Sequence, residues 1–304
     1  MTLYTQAEAN IRKTWFYLVS FLLFVIAFGW VIGYVMDNQM ILWLAVIISI
    51  STSFLSYWYS DRITLAMSHA RLIEKKDNPE LYRLVENLCI TAGLPLPRVY
   101  IIDEDQPNAF ATGRDPNHAV IAVTRGLLEK LERIELEGVI AHELSHIGNR
   151  DTLLSTVAVI LAGVVAIIAD FFLRIGFRKN SRGDKRSGAE AIILLVVVVL
   201  AVLAPLFATF LKMAISRKRE FLADASGSLL TRYPDGLISA LMKISAYPGS
   251  LSVANDATAH LYIVNPLREE KKGINWIHKL FLTHPPIEER IAALRGLDIR
   301  DNKV

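Results

Sequence analysis

Four apolar runs divide the chain, with polar stretches between the second and third and after the fourth. The runs cover roughly Thr14–Met36, Met40–Tyr59, Leu153–Phe177 and Ala189–Leu211. Each is near the ~20 residues that a helix needs to cross about 30 Å of hydrocarbon. Trp15, Tyr17, Trp30, Tyr34, Tyr57, Trp58 and Tyr59 gather towards the ends of the first two runs, which places them at membrane–water interfaces. The first run follows Arg12-Lys13, is too long for a secretory leader and is followed by no small-residue cleavage site. It therefore reads as a retained anchor.

The polar stretches alternate between two periods. A helical stretch after Ser60 carries Leu72, Leu81, Leu84, Val85 and Leu88, and Gly93-Leu-Pro-Leu-Pro97 breaks it. Val99–Ile102 and Ala119–Val123 read as short strands; Asn108–Thr112 between them is either a third strand or, at Asn108, a turn. From Thr124 to Ala141 helix formers run without a proline. Beyond the last apolar run, Lys212–Thr231 and Gly236–Tyr247 read as helices, and Pro285-Pro286 opens a final one carrying Ile287, Arg290, Ile291 and Leu294. The expected architecture is a mainly α membrane protein with a small β-sheet. Residues 1–60 hold two transmembrane helices, 61–151 and 212–304 form one domain, and 152–211 hold a third and fourth hydrophobic helix.

Composition agrees with a membrane setting: 53% of the 304 residues are hydrophobic and mean hydropathy is +0.35. The single cysteine, Cys89, excludes an internal disulfide and a cysteine-rich metal site, and reads as a buried helical residue. Net charge is +3, with no basic cluster interleaved with aromatics, so nothing points to nucleic acid. Arg12, Lys13, Arg62, Arg71, Lys75 and Lys76 flank the first pair of runs, while the link Asp37-Asn38-Gln39 has no basic residue. The positive-inside rule puts the amino terminus and the region after Arg62 in the cytoplasm. Arg178, Lys179, Arg182, Lys185 and Arg186 break that rule if the third and fourth runs both cross. The alternative is a shallow or protein-covered hairpin, which also suits Asp170. Either arrangement leaves both polar stretches on one side.

One stretch carries chemistry. His142-Glu143-Leu144-Ser145-His146 reads H-E-x-x-H. On a helix, residues four apart share a face, so both imidazoles can close on one zinc ion, with Glu143 beside it as a base for water. A third protein ligand is needed. His69, His118 and His260 lack a companion pattern. Glu220 and Asp224 lie four apart in Arg217-Lys-Arg-Glu-Phe-Leu-Ala-Asp224. One carboxylate could bind zinc and the other accept the N–H of a ligand histidine. The same spacing equally suits a surface helix whose acids pair with Arg217 or Arg219.

H-E-L-S-H-I-G-N-R-D at 142–151, R-E-F-L-A-D at 219–224 and T-H-P-P at 283–286, in this order over nearly the whole chain, resemble the HtpX-like membrane zinc metalloproteases. That family belongs to a larger group with the CAAX prenyl proteases. The resemblance implies a gluzincin-type α+β domain facing the cytoplasm of a bacterial inner membrane, with one zinc per chain. By position it makes His142, His146 and Glu220 the ligands, Glu143 the general base, and Asp224 an acid directed at His142. Asn108, Ala109 and Phe110, in the stretch Asn108–Ala111, would pair with substrate backbone. His284 and Arg290 would stabilise the oxyanion or hold the active-site helices. The implied substrates are peptide bonds of misfolded or damaged membrane proteins under stress. A prenyl-peptide processing enzyme and a non-catalytic membrane chaperone are the alternatives.

Overall fold

The structure is a computed structural model and describes residues 3–35, 37–158, 160–161, 164, 217–248, 261–264 and 285–297. The fourth apolar run, most of the third, the link between them and His284 lie outside the described residues, as does His260. Two long helices open the chain, α1 (Leu3–Val35) and α2 (Met40–Trp58). Both are long and apolar enough to cross a membrane. They differ in what they bury. On α2 only Ser49 and Ser56 are buried, and Trp43, Leu44, Ile47 and Phe54 are exposed. On α1, Tyr17, Leu18, Phe21 and Val25 form one stripe at helical spacing that packs on Leu153, Leu154, Val157, Ala158 and Leu161. Tyr17 is therefore no interfacial aromatic. Its ring is enclosed by this packing, whereas Trp15, Trp30, Tyr34 and Trp58 are exposed as the pattern predicts.

The stretch after Ser60 is two helices with a strand between them. Helix α3 (Ser60–Met67) ends before β1 (Arg71–Leu72), and α4 (Pro79–Ala92) begins only at a new cap. Asn78 accepts the Leu81 N–H at 3.0 Å and Pro79 fits the first helical turn. Gly93, at φ 66°, closes α4 in the left-handed conformation. Leu72 consequently sits on an exposed strand and contributes nothing to a helical stripe.

Three further strands follow: β2 (Arg98–Ile102), β3 (Ala109–Thr112) and β4 (Val120–Thr124). The order is β1-β2-β4-β3, with β2 and β4 parallel and the outer pairs antiparallel. Residue alternation sends Val99, Ala109, Ala111, Ile121 and Val123 to one core, and Ile102, Phe110, Val120 and Ala122 to another. β4 is buried along its whole length, and β3 forms one edge of the sheet.

The helix formers after Thr124 are also split. α5 (Arg125–Lys130) stops at Leu131, and α6 (Arg133–Gly148) restarts where the Glu135 side chain accepts the Glu132 N–H at 2.8 Å. Helices α7 (Arg217–Thr231), α8 (Pro234–Ala246) and α9 (Ile287–Arg295) complete the described fold. The first core joins the sheet to α4, α6, α8 and α9 through Leu84, Val139, Leu144, Leu241 and Leu294. α6 is thus held between the edge strand and α7.

Candidate metal centre

α7 approaches α6 in backbone contact at the H-E-x-x-H turn. A Cβ on Gly227 would stand 2.9 Å from the His142 N and 3.1 Å from the Ala141 carbonyl carbon. Only a residue without that atom lets the two backbones meet. The crossing brings Glu220, about two turns earlier on α7, opposite the histidines of α6.

His142, His146 and Glu220 offer ligand atoms that all lie within 4.8 Å of one another. The two Nε2 atoms are 3.1 Å apart; Glu220 Oε2 is 3.8 Å from His142 Nε2, and Oε1 is 3.6 Å from His146 Nε2. Bonds of ~2.0–2.1 Å in a tetrahedron place neighbouring ligand atoms about 3.3 Å apart, so the triangle suits a zinc ion. The tautomers agree. His142 Nδ1 lies 2.9 Å from Asp224 Oδ1, bent from ideal hydrogen-bond direction, and His146 Nδ1 lies 3.1 Å from Asp151 Oδ2. With a proton on each Nδ1, both Nε2 lone pairs face the cleft. Two lone pairs at that separation repel unless a cation or a shared proton lies between them.

Charge in the cleft points the same way. Burial pulls the His146 pKa down, but Asp151 and then Glu220 outweigh it and bring it to about 9. The surroundings of this nitrogen favour positive charge. Burial lowers His142, against the pull of Asp224, and so favours the neutral imidazole that metals bind. Glu143 is 2% exposed. Burial foremost, with Glu220 adding, pushes its carboxyl up to about 7, against His146 and the Ala111 N–H.

That N–H belongs to the outer side of the sheet. Thr124 N donates to Asn108 O at 2.9 Å, so residues 108 and 110 pair inward with β4, and the backbone groups of Ala109 and Ala111 point outward. The family resemblance implied that Asn108, Ala109, Phe110 and Ala111 pair with a substrate backbone. In the structure Ile263 N donates to Ala109 O at 3.0 Å, the Asn108 amide donates to Val264 O at 2.9 Å, and Phe110 stacks edge-on against Tyr262. Residues 261–264 thus occupy the edge at Asn108 and Ala109. Ala111 lines the cleft with Glu143 and the three ligand candidates.

Arg290 lies behind the cleft. It is fully buried, and its Nε and Nη2 reach the two oxygens of Asp224 at 2.8 and 2.6 Å. Its Nη1 donates to Ile263 O at 2.7 Å. The guanidinium is therefore committed to Asp224 and to the 261–264 segment. Asp151 and Arg219, to which the motif analysis gave no role, also line the cleft. His69 and His118 lie outside the cluster, His118 being paired with Asp115 at 2.9 Å.

The model of peptidase family M48 matches residues 75–298, which include the whole site. The chain belongs to peptidase family M48. Relatives extend the match over its full length. A protease HtpX homologue from Dictyoglomus turgidum is 46% identical over 301 residues, covering 98% of this chain and 96% of its own. One from Pyrococcus furiosus is 46% identical over 268 residues, 88% of this chain and 90% of that one. One from Listeria monocytogenes is 42% identical over 307 residues, 97% and 100% of the two chains. Among solved structures, S. mikatae Ste24p has a TM-score of 0.49 at 18% identity, covering 96% of this chain and 66% of its own. Membership of M48 makes the chain a metalloprotease, and His142, His146 and Glu220 form a cluster that could hold its metal.

Proposed function

We propose that this M48 peptidase is a membrane-embedded zinc endopeptidase that cuts misfolded or damaged membrane proteins from the cytoplasmic side. The observation that carries the reading is the meeting of His142, His146 and Glu220 in one cleft with Glu143 and the outward edge of β3. Two imidazoles and a carboxylate are a donor set of catalytic zinc, with the fourth position left open. Zinc bound there supplies Lewis acidity towards the scissile carbonyl and brings a water's pKa down to roughly 7.

The remaining work falls to the chain's own side chains. Glu143 takes the proton of the attacking water and hands it to the departing amine; such transfer contributes about 10²–10⁴-fold. Asp224 and Asp151 hold the imidazoles of His142 and His146 through Nδ1, fixing where each Nε2 points. The outward carbonyl of Ala111 accepts a backbone N–H of a peptide laid along β3, which sets the scissile bond over the cleft beside Glu143. Such pairing needs an extended segment, which a folded protein does not offer and a misfolded one does. The basic residues flanking α1 and α2, with none in the link between them, support the cytoplasmic placement.

The test is casein cleavage by purified full-length protein and its Glu143→Ala variant. The variant is expected to keep one zinc per chain and to cleave about 10²–10⁴-fold more slowly. Undiminished cleavage by the variant would overturn the assignment.

A further inference from the structure

Helix α1 carries a buried polar side chain whose partners lie at the far end of α6. Asn10 is 1% exposed, and its amide donates to Asn149 O at 2.9 Å and to Asp151 Oδ1 at 2.7 Å, 139 and 141 positions along the chain. The other oxygen of that carboxylate, Oδ2, is 3.1 Å from His146 Nδ1. His146 Nε2 faces the cleft, 3.6 Å from Glu220 Oε1. A continuous line of contacts therefore joins the first apolar helix to a ligand candidate. Arg219 Nε stands 3.7 Å from Asp151 Oδ1, too far to replace the Asn10 hydrogen bond. The stripe that follows Asn10 on α1 packs against Leu153, Leu154, Val157, Ala158 and Leu161, which holds this end of the helix beside Asp151.

We propose that Asn10 is a positioning residue of the metal centre: it fixes the Asp151 carboxylate, which in turn orients the His146 imidazole. The choice of an amide matters. A neutral donor holds one carboxylate oxygen without adding a second cation to Arg219, which already stands 3.7 Å from Asp151. On this account α1 is part of the centre as well as a span of the bilayer. The inference rests on the reading that His142, His146 and Glu220 hold zinc.

The experiment is zinc affinity by competition with a chromophoric chelator, using full-length protein in lipid nanodiscs. Wild type is compared with Asn10→Leu, Asp151→Asn, the double variant and Thr14→Val. Outer partners of metal ligands are worth about 10–100-fold in affinity, so Asn10→Leu is expected to weaken zinc binding about tenfold. Thr14, one turn further on the same buried face, bonds the Asn10 carbonyl at 2.9 Å and, among the described residues, no group of the metal cluster, and Thr14→Val is expected to bind as wild type does. In the Asp151→Asn background Asn10→Leu should add nothing, because its route to His146 is already cut. Equal affinity of wild type and Asn10→Leu would overturn the proposal, as would the same weakening in both backgrounds. If Asn10→Leu does not fold, Asn10→Ala carries the same cycle. A wild type that binds no zinc would sink the metal reading and this one together; zinc-binding wild type with an unaffected Asn10→Leu sinks the Asn10 relay alone.

Discussion

Arg290 is the largest fully buried side chain among the described residues, and its charge is matched by Asp224 alone at hydrogen-bond distance. Removing one member of such a pair strands the other, at a cost of about 3–5 kcal/mol. Arg290→Met should therefore lower the denaturation midpoint sharply, and Asp224→Asn combined with it should restore part of the loss. Chemical denaturation of the three proteins in detergent checks this. A pH dependence follows from the same pair. The Arg290 guanidinium, outweighing the effect of burial, holds the Asp224 carboxyl down to about 2, below its ordinary 3.8. A depressed carboxyl contributes stability that is present above the unfolded value and lost as pH falls through the folded one. The wild type should lose stability between about 4 and 2, and Asp224→Asn should flatten that limb. At this scale the sequence was legible wherever partners are close along the chain. His142, Glu143 and His146 meet because a helix turn makes them meet. From spacing alone Glu220 was a carboxylate with two equal readings; the family resemblance made it a ligand, and the fold brings α7 across α6 to set it opposite the histidines. Asn10 was invisible, although Asn10 and Thr14 form a polar pair four residues apart at the start of an apolar helix, which was the available signal.

Between elements, the α6–α7 crossing decides whether the centre exists. Gly227 lies where the two backbones touch, and a methyl group there would sit 2.9 Å from the His142 N. Gly227→Ala should gain about 1 kcal/mol in helix propensity and lose about 1–3 kcal/mol to overpacking. The decisive readout is zinc affinity. Moving α7 outward by a few tenths of an ångström displaces Glu220 from the histidines, so binding should weaken more than the fold does. Affinity equal to wild type, at unchanged melting temperature, would show that the crossing tolerates displacement. The helices of the polar stretches and the strands β2 and β4 could be read from their pattern because they bury apolar faces, whereas β3 was left between strand and turn. Two boundaries could not. β1 is two residues long, exposed and held to β2 by backbone pairing, so side chains carry no record of it. The break between α5 and α6 is built from Leu131, Glu132 and Glu135, all good helix formers, with the cap hidden in a Glu–backbone contact.

For the whole molecule, the exposed apolar face of α2 and the partly packed α1 describe two different uses of long hydrophobic helices. α2 presents large apolar residues outward, as a lipid-facing helix does. α1 gives one stripe to the residues that follow the metal motif, and through Asn10 reaches the motif itself. Composition could reveal that both helices suit a bilayer. It could not reveal that one of them also packs against the catalytic region, because a stripe of Tyr17, Leu18, Phe21 and Val25 is apolar in either setting. The account depends on α6 and α7, distant in sequence, closing a three-ligand site. Zinc content of purified wild type beside Glu220→Gln, after dialysis against a mild chelator, tests that most directly. The prediction is one zinc per chain in wild type and little in the variant, since two imidazoles alone cannot complete the site. A wild type without zinc, or a variant that holds it as firmly, would contradict the account.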